Sequence, residues 1–179
     1  MIPSRPTEIV RLPDPRLRAA ARPVRLPDPG VDRLVADLLA AMRAARGLGL
    51  AAPQVGRDVR VAVVEAEGAQ LVLLNPEIVG RRGLQRGWEG CLSVPDLVAL
   101  VDRPAELTVA GLDRAGRPFR RRCTGLLARA VAHEVDHLAG RLYVDLVPPE
   151  ALVDVREHPT PLDTSQPIST VTPDEGSRP

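Results

Sequence analysis

Lysine is absent from this chain of 179 residues, because all 24 of its basic residues are arginine. They are balanced by 23 acidic residues, which leaves a formal net charge of +1. A charge this small gives no strong field that would attract a nucleic acid or an anionic membrane surface. We therefore expect no direct nucleic-acid binding and no membrane association. The arginine bias, together with abundant alanine, is typical of GC-rich codon usage and favours a bacterial source.

Aromatic residues, cysteines and long apolar runs are also scarce. Aromatic residues form only 2% of the chain, so the core must be aliphatic, and the two cysteines, Cys91 and Cys123, are too few for a disulfide framework. No apolar run approaches the roughly 20 residues of a membrane span. Residues 1–18 contain no continuous apolar segment of the kind found in secretory signals. These absences predict a cytoplasmic protein whose cysteines are free to bind metal.

The length predicts a single domain with a core of its own. We place this domain at residues 1–155 and a proline-rich tail at residues 156–179. Prolines recur in the tail among serine, threonine and acidic residues. Such a segment cannot bury enough apolar surface to offset the entropy of ordering it, so we expect it to be mobile.

Hydrophobic periodicity and turn residues predict a mixture of helices and strands. An amphipathic helix is expected at residues 30–46, and a second helix from Thr124 or Gly125 to residue 139, with Gly140 as its stop. The predicted strands are residues 57–65, 70–75, 105–112, 117–123 and 142–147, with Pro76 and Gly80 interrupting the pattern and residues 88–95 forming a loop. The third and fourth strands form a hairpin across residues 113–116.

The second helix carries the sequence His133-Glu-Val-Asp-His137. Histidines four residues apart lie one turn apart on the same face of a helix, where both imidazoles can bind one metal ion. Glu134 follows the first histidine, which is the position of the general base in HExxH hydrolases. The motif therefore predicts two metal ligands and a base, but it does not identify the third ligand.

The third ligand could lie either downstream or upstream of the HExxH motif. Metzincin proteases continue the motif to HExxHxxGxxH, and here Gly140 is in place but Tyr143 stands where the third histidine should be. Glutamates or a histidine further along the chain (Glu150, Glu157, His158) lie near or in the proline-rich end, which is a poor place for a rigid ligand. Upstream, Cys91 lies among small residues, and a thiolate with two imidazoles leaves the fourth tetrahedral position of a metal free for water.

Both sides of the second helix are largely apolar. At about 100° per residue, one side carries Leu126, Ala130, His133 and His137, and the opposite side carries Leu127, Val131, Val135 and Leu138. A helix with two apolar sides is buried between layers of structure. The metal motif is therefore expected in the interior of the domain.

Three segments of the chain resemble the signature motifs of peptide deformylases. They are GLGLAAPQ (residues 47–54), EGCLS (residues 89–93) and HEVDH (residues 133–137), and they stand in the family's order and at about its spacing. The stretches DPRLRAAARPV (residues 14–24) and DRAGRPF (residues 113–119) are also similar to that family. The resemblance covers roughly residues 8–147. It implies an α+β fold in which small antiparallel or mixed sheets pack around a central buried helix that carries the HExxH motif.

The resemblance also implies a metal centre and a reaction. One divalent metal ion is expected on Cys91, His133 and His137, most often Fe²⁺, for which Zn²⁺, Ni²⁺ or Co²⁺ can substitute. The reaction is hydrolytic removal of the formyl group from N-formylmethionine of newly made polypeptides. Glu134 is expected to act as general base, and the Gln54 side chain with the Leu92 backbone N–H to stabilise the oxyanion.

For the substrate, we nominate an apolar pocket formed by Leu48, Leu126 and Ala130. Gly49 and Gly90 are expected to leave room for an extended peptide backbone. Around this pocket we expect Arg129 to reach solvent over the rim and Glu89 to pair with Arg103. Asp136 is expected to be structural, and Cys123 to be a thiol of the core.

The chain departs from the family pattern at two places. Many members continue into a C-terminal helix used for docking on the ribosome, whereas here a proline-rich tail follows. A transient ribosome contact therefore stays open, but not through such a helix. Val98 stands where some members place an arginine near the substrate entrance. Two other functions also stay open: an HExxH metalloendopeptidase, and a catalytically silent homologue that binds only peptide or metal.

Overall fold

The computed structural model describes residues 8–157 and contains two α-helices and eight strands in this region. The helices are α1 (Pro29–Ala44) and α2 (Gly125–Leu138). The strands are β1 (Gly49–Ala51), β2 (Val61–Ala66), β3 (Ala69–Arg82), β4 (Gln85–Cys91), β5 (Val94–Arg103), β6 (Glu106–Leu112), β7 (Pro118–Thr124) and β8 (Val153–Asp154). Most of the predicted tail, including His158, lies outside the described residues.

Helix α1 forms where the apolar period predicts it. Its first turn is capped by Asp28, whose carboxylate accepts a hydrogen bond from the Gly30 backbone N–H at 2.8 Å, and Pro29 occupies the first helical position. Its buried residues are Val31, Leu34, Val35, Leu38, Ala41 and Met42. These residues pack on one face of β2 and on Leu50 and Leu74, which makes a purely aliphatic core layer.

Five strands form an antiparallel sheet in the order β1-β2-β3-β6-β7. The predicted β6–β7 hairpin is confirmed, and its turn is held by Asp113, whose carboxylate accepts from the backbone N–H groups of Ala115 and Arg117 at 2.9 Å each. Strand β3 continues beyond the predicted residues 70–75, so the expected end before Pro76 is wrong, although Pro76 and Gly80 do interrupt its pairing. Register shifts beside both residues let the strand pass them without a ladder bond from the proline.

A second antiparallel sheet has the order β4-β5-β8. The prediction of a loop at residues 88–95 is wrong, because the segment is the end of a hairpin in which Cys91 pairs with Val94. Glycines at positions 87 and 90 interrupt the alternation of apolar and polar side chains by which a strand is recognised in a sequence. The predicted strand at residues 142–147 is also wrong: Tyr143–Leu146 is a short 3-10 helix, and the last strand comes later, as β8.

Helix α2 begins after Thr124 and is followed by Gly140, as predicted. Gly140 has a left-handed φ of 71°, and a Cβ there would lie 2.5 Å from the Arg18 carbonyl oxygen, so only glycine fits this helix end. Apolar residues of α2, including Leu127, Val131 and Leu138, pack into the core under the five-stranded sheet. His133, Glu134 and His137 lie on the turns between them. Neither helix of the described region has the length and apolar character of a membrane span.

Tyr143, at the position of the missing third histidine, is buried and donates its hydroxyl hydrogen bond to the Leu97 carbonyl at 2.7 Å. Its ring stacks on that of His133 at a centroid distance of 6.1 Å. We expect Tyr143→Phe to lower the free energy of unfolding by about 0.5–1.5 kcal/mol, because the hydrogen bond to the partly buried Leu97 carbonyl is lost. A urea titration of both proteins checks this value. Coincident titration curves would show that the bond adds nothing to stability.

Candidate metal centre

Three side chains from two elements converge at one point of the domain. Cys91 ends β4, and His133 and His137 lie one turn apart on α2, with one ligand atom from each residue lying within 4.8 Å of the others. The Cys91 Sγ and His137 Nε2 atoms are 3.2 Å apart. A tetrahedral metal with bonds of about 2.0–2.3 Å brings its ligand atoms to about 3.5 Å from one another. The three side chains therefore fit a small divalent metal ion.

Glu89 fixes the orientation of the His133 ring. The Glu89 Oε2 atom lies 3.0 Å from His133 Nδ1, so Nδ1 carries an N–H and Nε2 is the nitrogen that would bind a metal. A carboxylate on the far nitrogen is the usual partner of a metal-binding histidine. This contact supplies a second observation, beyond the spacing of the three ligand atoms, that the residues present fit a metal.

The Glu134 side chain lies against Gly49. A Cβ at position 49 would lie 2.4 Å from Glu134 Oε1, so glycine is required there for the carboxylate to pack. Burial raises the pKa of Glu134 to about 7, against the opposing effect of His133. Its second oxygen, Oε2, is buried without a hydrogen-bond partner among the described residues. A buried carboxylate oxygen in this condition is suited to accept a proton or a hydrogen bond from a bound molecule.

Gln54 is held with its amide in one orientation. Its Oε1 atom accepts a hydrogen bond from the Ala51 backbone N–H at 2.8 Å, which closes a local turn. Its Nε2 atom lies 3.2 Å from Ser93 Oγ and 3.6 Å from Cys91 Sγ. The nitrogen therefore points towards the candidate metal ligands. No motif selects Ser93, because its contact with Gln54 depends on the β4–β5 turn.

A network of buried ion pairs holds Glu89, the residue that contacts His133. Arg103 donates to both oxygens of Glu89 at 2.8 and 2.9 Å, which confirms the predicted pair, and its remaining Nη1 donates to Asp136. Burial acts to raise the pKa of Glu89, but the hydrogen bonds from Arg103 and His133 outweigh it and lower the pKa to about 2. Glu89 is therefore ionised and can hold His133 at neutral pH. Asp136 also binds Arg141, at 2.7 Å.

Arg129 lies inside the domain, so the prediction that it reaches solvent is wrong. Its side chain is only 8% exposed, and Nη1 lies 3.1–3.2 Å from the carbonyl oxygens of Gly87 and Val101 and from Glu89 Oε1. A Cβ on Gly87 would lie 2.8 Å from Arg129 Nη2. The guanidinium is thus drawn inward by the Glu89 charge, and a glycine on β4 makes room for it. Its burial was not visible in the helical pattern.

A cavity of about 350 Å³ opens over these groups. All the residues nominated for substrate contact and oxyanion stabilisation line it, together with two of the three candidate ligands: Leu48, Gly49, Gln54, Gly90, Leu92, Leu126, Ala130, Cys91 and His133. Glu134 also lines it, whereas His137 is almost fully buried beneath. Leu48 is 44% exposed and stands at the rim. The same cavity therefore contains apolar side chains, a carboxylate, an amide and two of the candidate metal ligands, with the third ligand buried beneath it.

Comparison with known proteins gives a consistent result. Residues 6–152 match the family model described as polypeptide deformylase. The chain is 48% identical over 142 residues to the peptide deformylase of Alkalilimnicola ehrlichii. The aligned region covers 77% of this chain and 80% of that one. The crystal structure of a peptide deformylase from Legionella pneumophila aligns with a TM-score of 0.79 at 43% identity, covering 82% of this chain and 89% of that one. A Met-Ala-Ser-bound class I type b peptide deformylase from Acinetobacter baumannii aligns at 0.76 and 32% identity, covering 80% and 99%.

Proposed function

The chain belongs to the peptide deformylase family, and from this membership we propose how its own residues carry out the family's reaction. It is a hydrolase that removes the formyl group from N-formylmethionine of newly made polypeptides and releases formate. The observation that carries the residue assignments is the single cavity that contains Cys91, His133, Glu134 and Gln54.

Cys91, His133 and His137 would hold one divalent metal ion. We propose Fe²⁺ as the metal in the cell, with Zn²⁺, Ni²⁺ or Co²⁺ able to substitute. A thiolate with two imidazoles suits all of these ions, so the donor set does not separate them. When bound, the metal supplies Lewis-acid chemistry: it polarises the formyl carbonyl and makes hydroxide available near neutral pH.

Glu134 would act as the general base. Its carboxylate takes the proton of the attacking water and passes it to the leaving amine of methionine. Its position is fixed by Gly49 beneath Oε1, while Oε2 has no other partner among the described residues. A base whose pKa is raised by burial into the neutral range can both accept and return a proton at neutral pH.

Gln54 and Leu92 would stabilise the oxyanion that forms on the formyl oxygen when water adds to the formyl carbon. Because the Ala51 backbone N–H holds the amide oxygen of Gln54, the Nε2 group is oriented before the substrate binds, with one N–H towards Ser93 and the other towards Cys91. Such preorganised donors are typically worth about 3–4 kcal/mol each in the transition state. The Leu92 backbone N–H, next to Cys91, is proposed as the second donor.

The methionine side chain would occupy the apolar pocket nominated above, with Leu126 and Ala130 inside it and Leu48 at its rim. The peptide backbone would run in extended form past Gly49 and Gly90, which present no side chains of their own. The Met-Ala-Ser peptide named for the Acinetobacter baumannii structure is the product expected after deformylation of a formyl-Met-Ala-Ser peptide. We propose the same class of substrate for this chain, formylated nascent peptides, with α2 as the central element of the site.

The cellular setting follows from the substrate. Nascent bacterial polypeptides are made in the cytoplasm, and we propose that the chain acts there, with at most a transient contact to the ribosome. The small net charge supports neither nucleic-acid nor membrane binding as an alternative mode.

Formate release tests the reaction. The protein, loaded anaerobically with Fe²⁺ or Ni²⁺, is expected to release formate and a free methionine amine from formyl-Met-Ala-Ser. The matched acetyl-Met-Ala-Ser is expected to yield no free amine. Cleavage of internal amides in casein with the formyl peptide untouched would instead identify a metalloendopeptidase. Binding of metal and peptide without turnover would identify a silent homologue.

Replacing Cys91 tests the metal ligands. We expect Cys91→Ala to lose most of its metal during dialysis against a weak chelator, because two imidazoles alone hold a divalent ion less tightly. The control is Cys123→Ala, which removes the chain's other thiol from the buried face of β7. Elemental analysis of both proteins gives the result. Equal metal content in the two variants would refute Cys91 as a ligand.

A further inference from the structure

A hydrogen bond between two buried side chains joins the Gln54 segment to the β4–β5 turn. Gln54 Nε2 donates to Ser93 Oγ at 3.2 Å, although the two residues are 39 positions apart in the chain. Ser93 is fully buried and Gln54 is only 2% exposed. Because water does not reach this contact, no solvent molecule replaces the Ser93 hydroxyl as acceptor when it is removed.

The N-terminal segment holds the main chains of both partners. The Val10 N–H donates to the Gln54 carbonyl at 2.7 Å, and the Leu12 N–H donates to the Ser93 carbonyl at 2.9 Å. Val10 and Leu12 are two residues apart, so one short piece of chain fixes the positions of Gln54 and Ser93 relative to each other. The hydroxyl is therefore in place beside the amide before a substrate binds.

The amide of Gln54 offers one acceptor oxygen and two N–H donors. Its oxygen accepts from the Ala51 N–H at 2.8 Å, and one N–H is used by Ser93. These two contacts act at opposite ends of the amide and fix its plane, whereas the Ala51 contact alone would let the plane swing about its oxygen. The other N–H faces Cys91 Sγ at 3.6 Å, and sulfur is a weak acceptor. This N–H is therefore the one that remains available to a substrate oxygen.

We propose that Ser93 is a positioning residue of the deformylase reaction, which acts on the oxyanion through Gln54. By accepting one N–H of the amide, the Ser93 hydroxyl keeps the other N–H directed at the formyl oxygen as charge develops on it. The proposal rests on the proposed function and adds to it the residue that orients one of its donors. A donor held in advance costs no reorganisation when the oxyanion forms.

Removing the hydroxyl gives the first measurement. Ser93→Ala is expected to lower kcat for formyl-Met-Ala-Ser about two- to tenfold, the range of one neutral hydrogen bond, with KM unchanged because the oxyanion exists only in the transition state. Metal content is measured on the same sample, since Ser93 is two residues from Cys91. The matched control is Thr108→Ala, which removes a hydroxyl from β6 away from the cavity residues of the described region and is expected to leave kcat unchanged.

A double-mutant cycle then shows whether Ser93 acts through Gln54. Gln54→Ala is expected to lower kcat about 10²–10³-fold, the usual loss of one oxyanion donor. Adding Ser93→Ala to Gln54→Ala is expected to cause no further decrease, because the amide that Ser93 orients is already gone. A residue that only supports the fold would lower kcat by the same factor in both backgrounds. That equal decrease would overturn the proposal, as would an unchanged kcat in Ser93→Ala or a decrease that follows loss of metal.

The same assay separates this proposal from the function on which it rests. If the unmodified, metal-loaded protein releases no formate, the proposed function fails. If it releases formate and Gln54→Ala turns over at the unmodified rate, the oxyanion role of Gln54 fails, and the role of Ser93 fails with it. If only the Ser93 variant is unaffected, the reaction and Gln54 stand and the assignment of Ser93 alone is wrong.

Discussion

Replacing Glu134 with glutamine is expected to lower kcat about 10²–10⁴-fold, the usual contribution of a positioned general base. The amide keeps the size of the carboxylate, so it still packs against Gly49, but it can neither accept the water proton nor return it to the amine. The metal content is expected to stay unchanged, since Glu134 is not among the three proposed ligands. Formate release under saturating peptide and elemental analysis of the same sample measure both quantities.

The control for this variant is Glu150→Gln, which removes the same charge from an exposed position in a short 3-10 helix. It is expected to match the unmodified protein in turnover and metal content. Turnover retained by Glu134→Gln would remove Glu134 as the base. Loss of metal from Glu134→Gln would instead show that the carboxylate supports the metal rather than the proton transfer.

Replacing Arg103 with methionine is expected to lower the free energy of unfolding by about 3–5 kcal/mol, the cost of breaking a buried ion pair by removing one partner. The Arg103 side chain is only 6% exposed and its partner Glu89 only 4%. The variant leaves the carboxylates of Glu89 and Asp136 buried without their shared cation. Urea unfolding of the metal-free proteins, prepared with a chelator, isolates this effect from metal binding.

The matched control is Arg86→Met on the same hairpin. Arg86 binds Asp102 with comparable geometry, but the two side chains are 59% and 40% exposed, and such pairs contribute at most about 1 kcal/mol. The Arg103 variant should therefore unfold at a clearly lower urea concentration than the Arg86 variant. Equal midpoints for the two would show that burial of the Glu89 pair contributes nothing to stability.

Elements with local signals could be predicted from the sequence. Helix α1 has a capping aspartate and a regular apolar face, α2 has a glycine stop, and the β6–β7 hairpin has an Asp113 turn. Each of these signals lies within a few residues of the element it defines. That is why the predicted bounds agree with the structure to within two residues at most ends.

Features that depend on distant residues were missed or misassigned. The segment around Cys91 is a strand because β5 pairs with it, and its glycines show no alternation of their own. Arg129 is buried because Glu89 lies 40 residues away in sequence and beside it in space. Asp136 finds Arg103 across 33 residues. A single sequence records the residues of these pairs but not their proximity.

The candidate site also contains residues that have a local signal in the sequence and residues that have none. The spacing of His133 and His137 on a helix predicts that they can share a metal, because the relation is local. Cys91, 46 residues from His137, is a candidate ligand by its chemistry and its small neighbours, but its assignment as the third ligand rests on the resemblance to a family and not on spacing. The structure places the three side chains together.

The most direct test of the central assignment is a paired measurement on one anaerobically purified sample: metal content per chain, and formate released from formyl-Met-Ala-Ser. Stepwise removal of the metal by a chelator is expected to lower formate release in proportion, and reloading with Fe²⁺ or Ni²⁺ to restore it. Full formate release from protein stripped of metal would contradict a reaction centred on Cys91, His133 and His137.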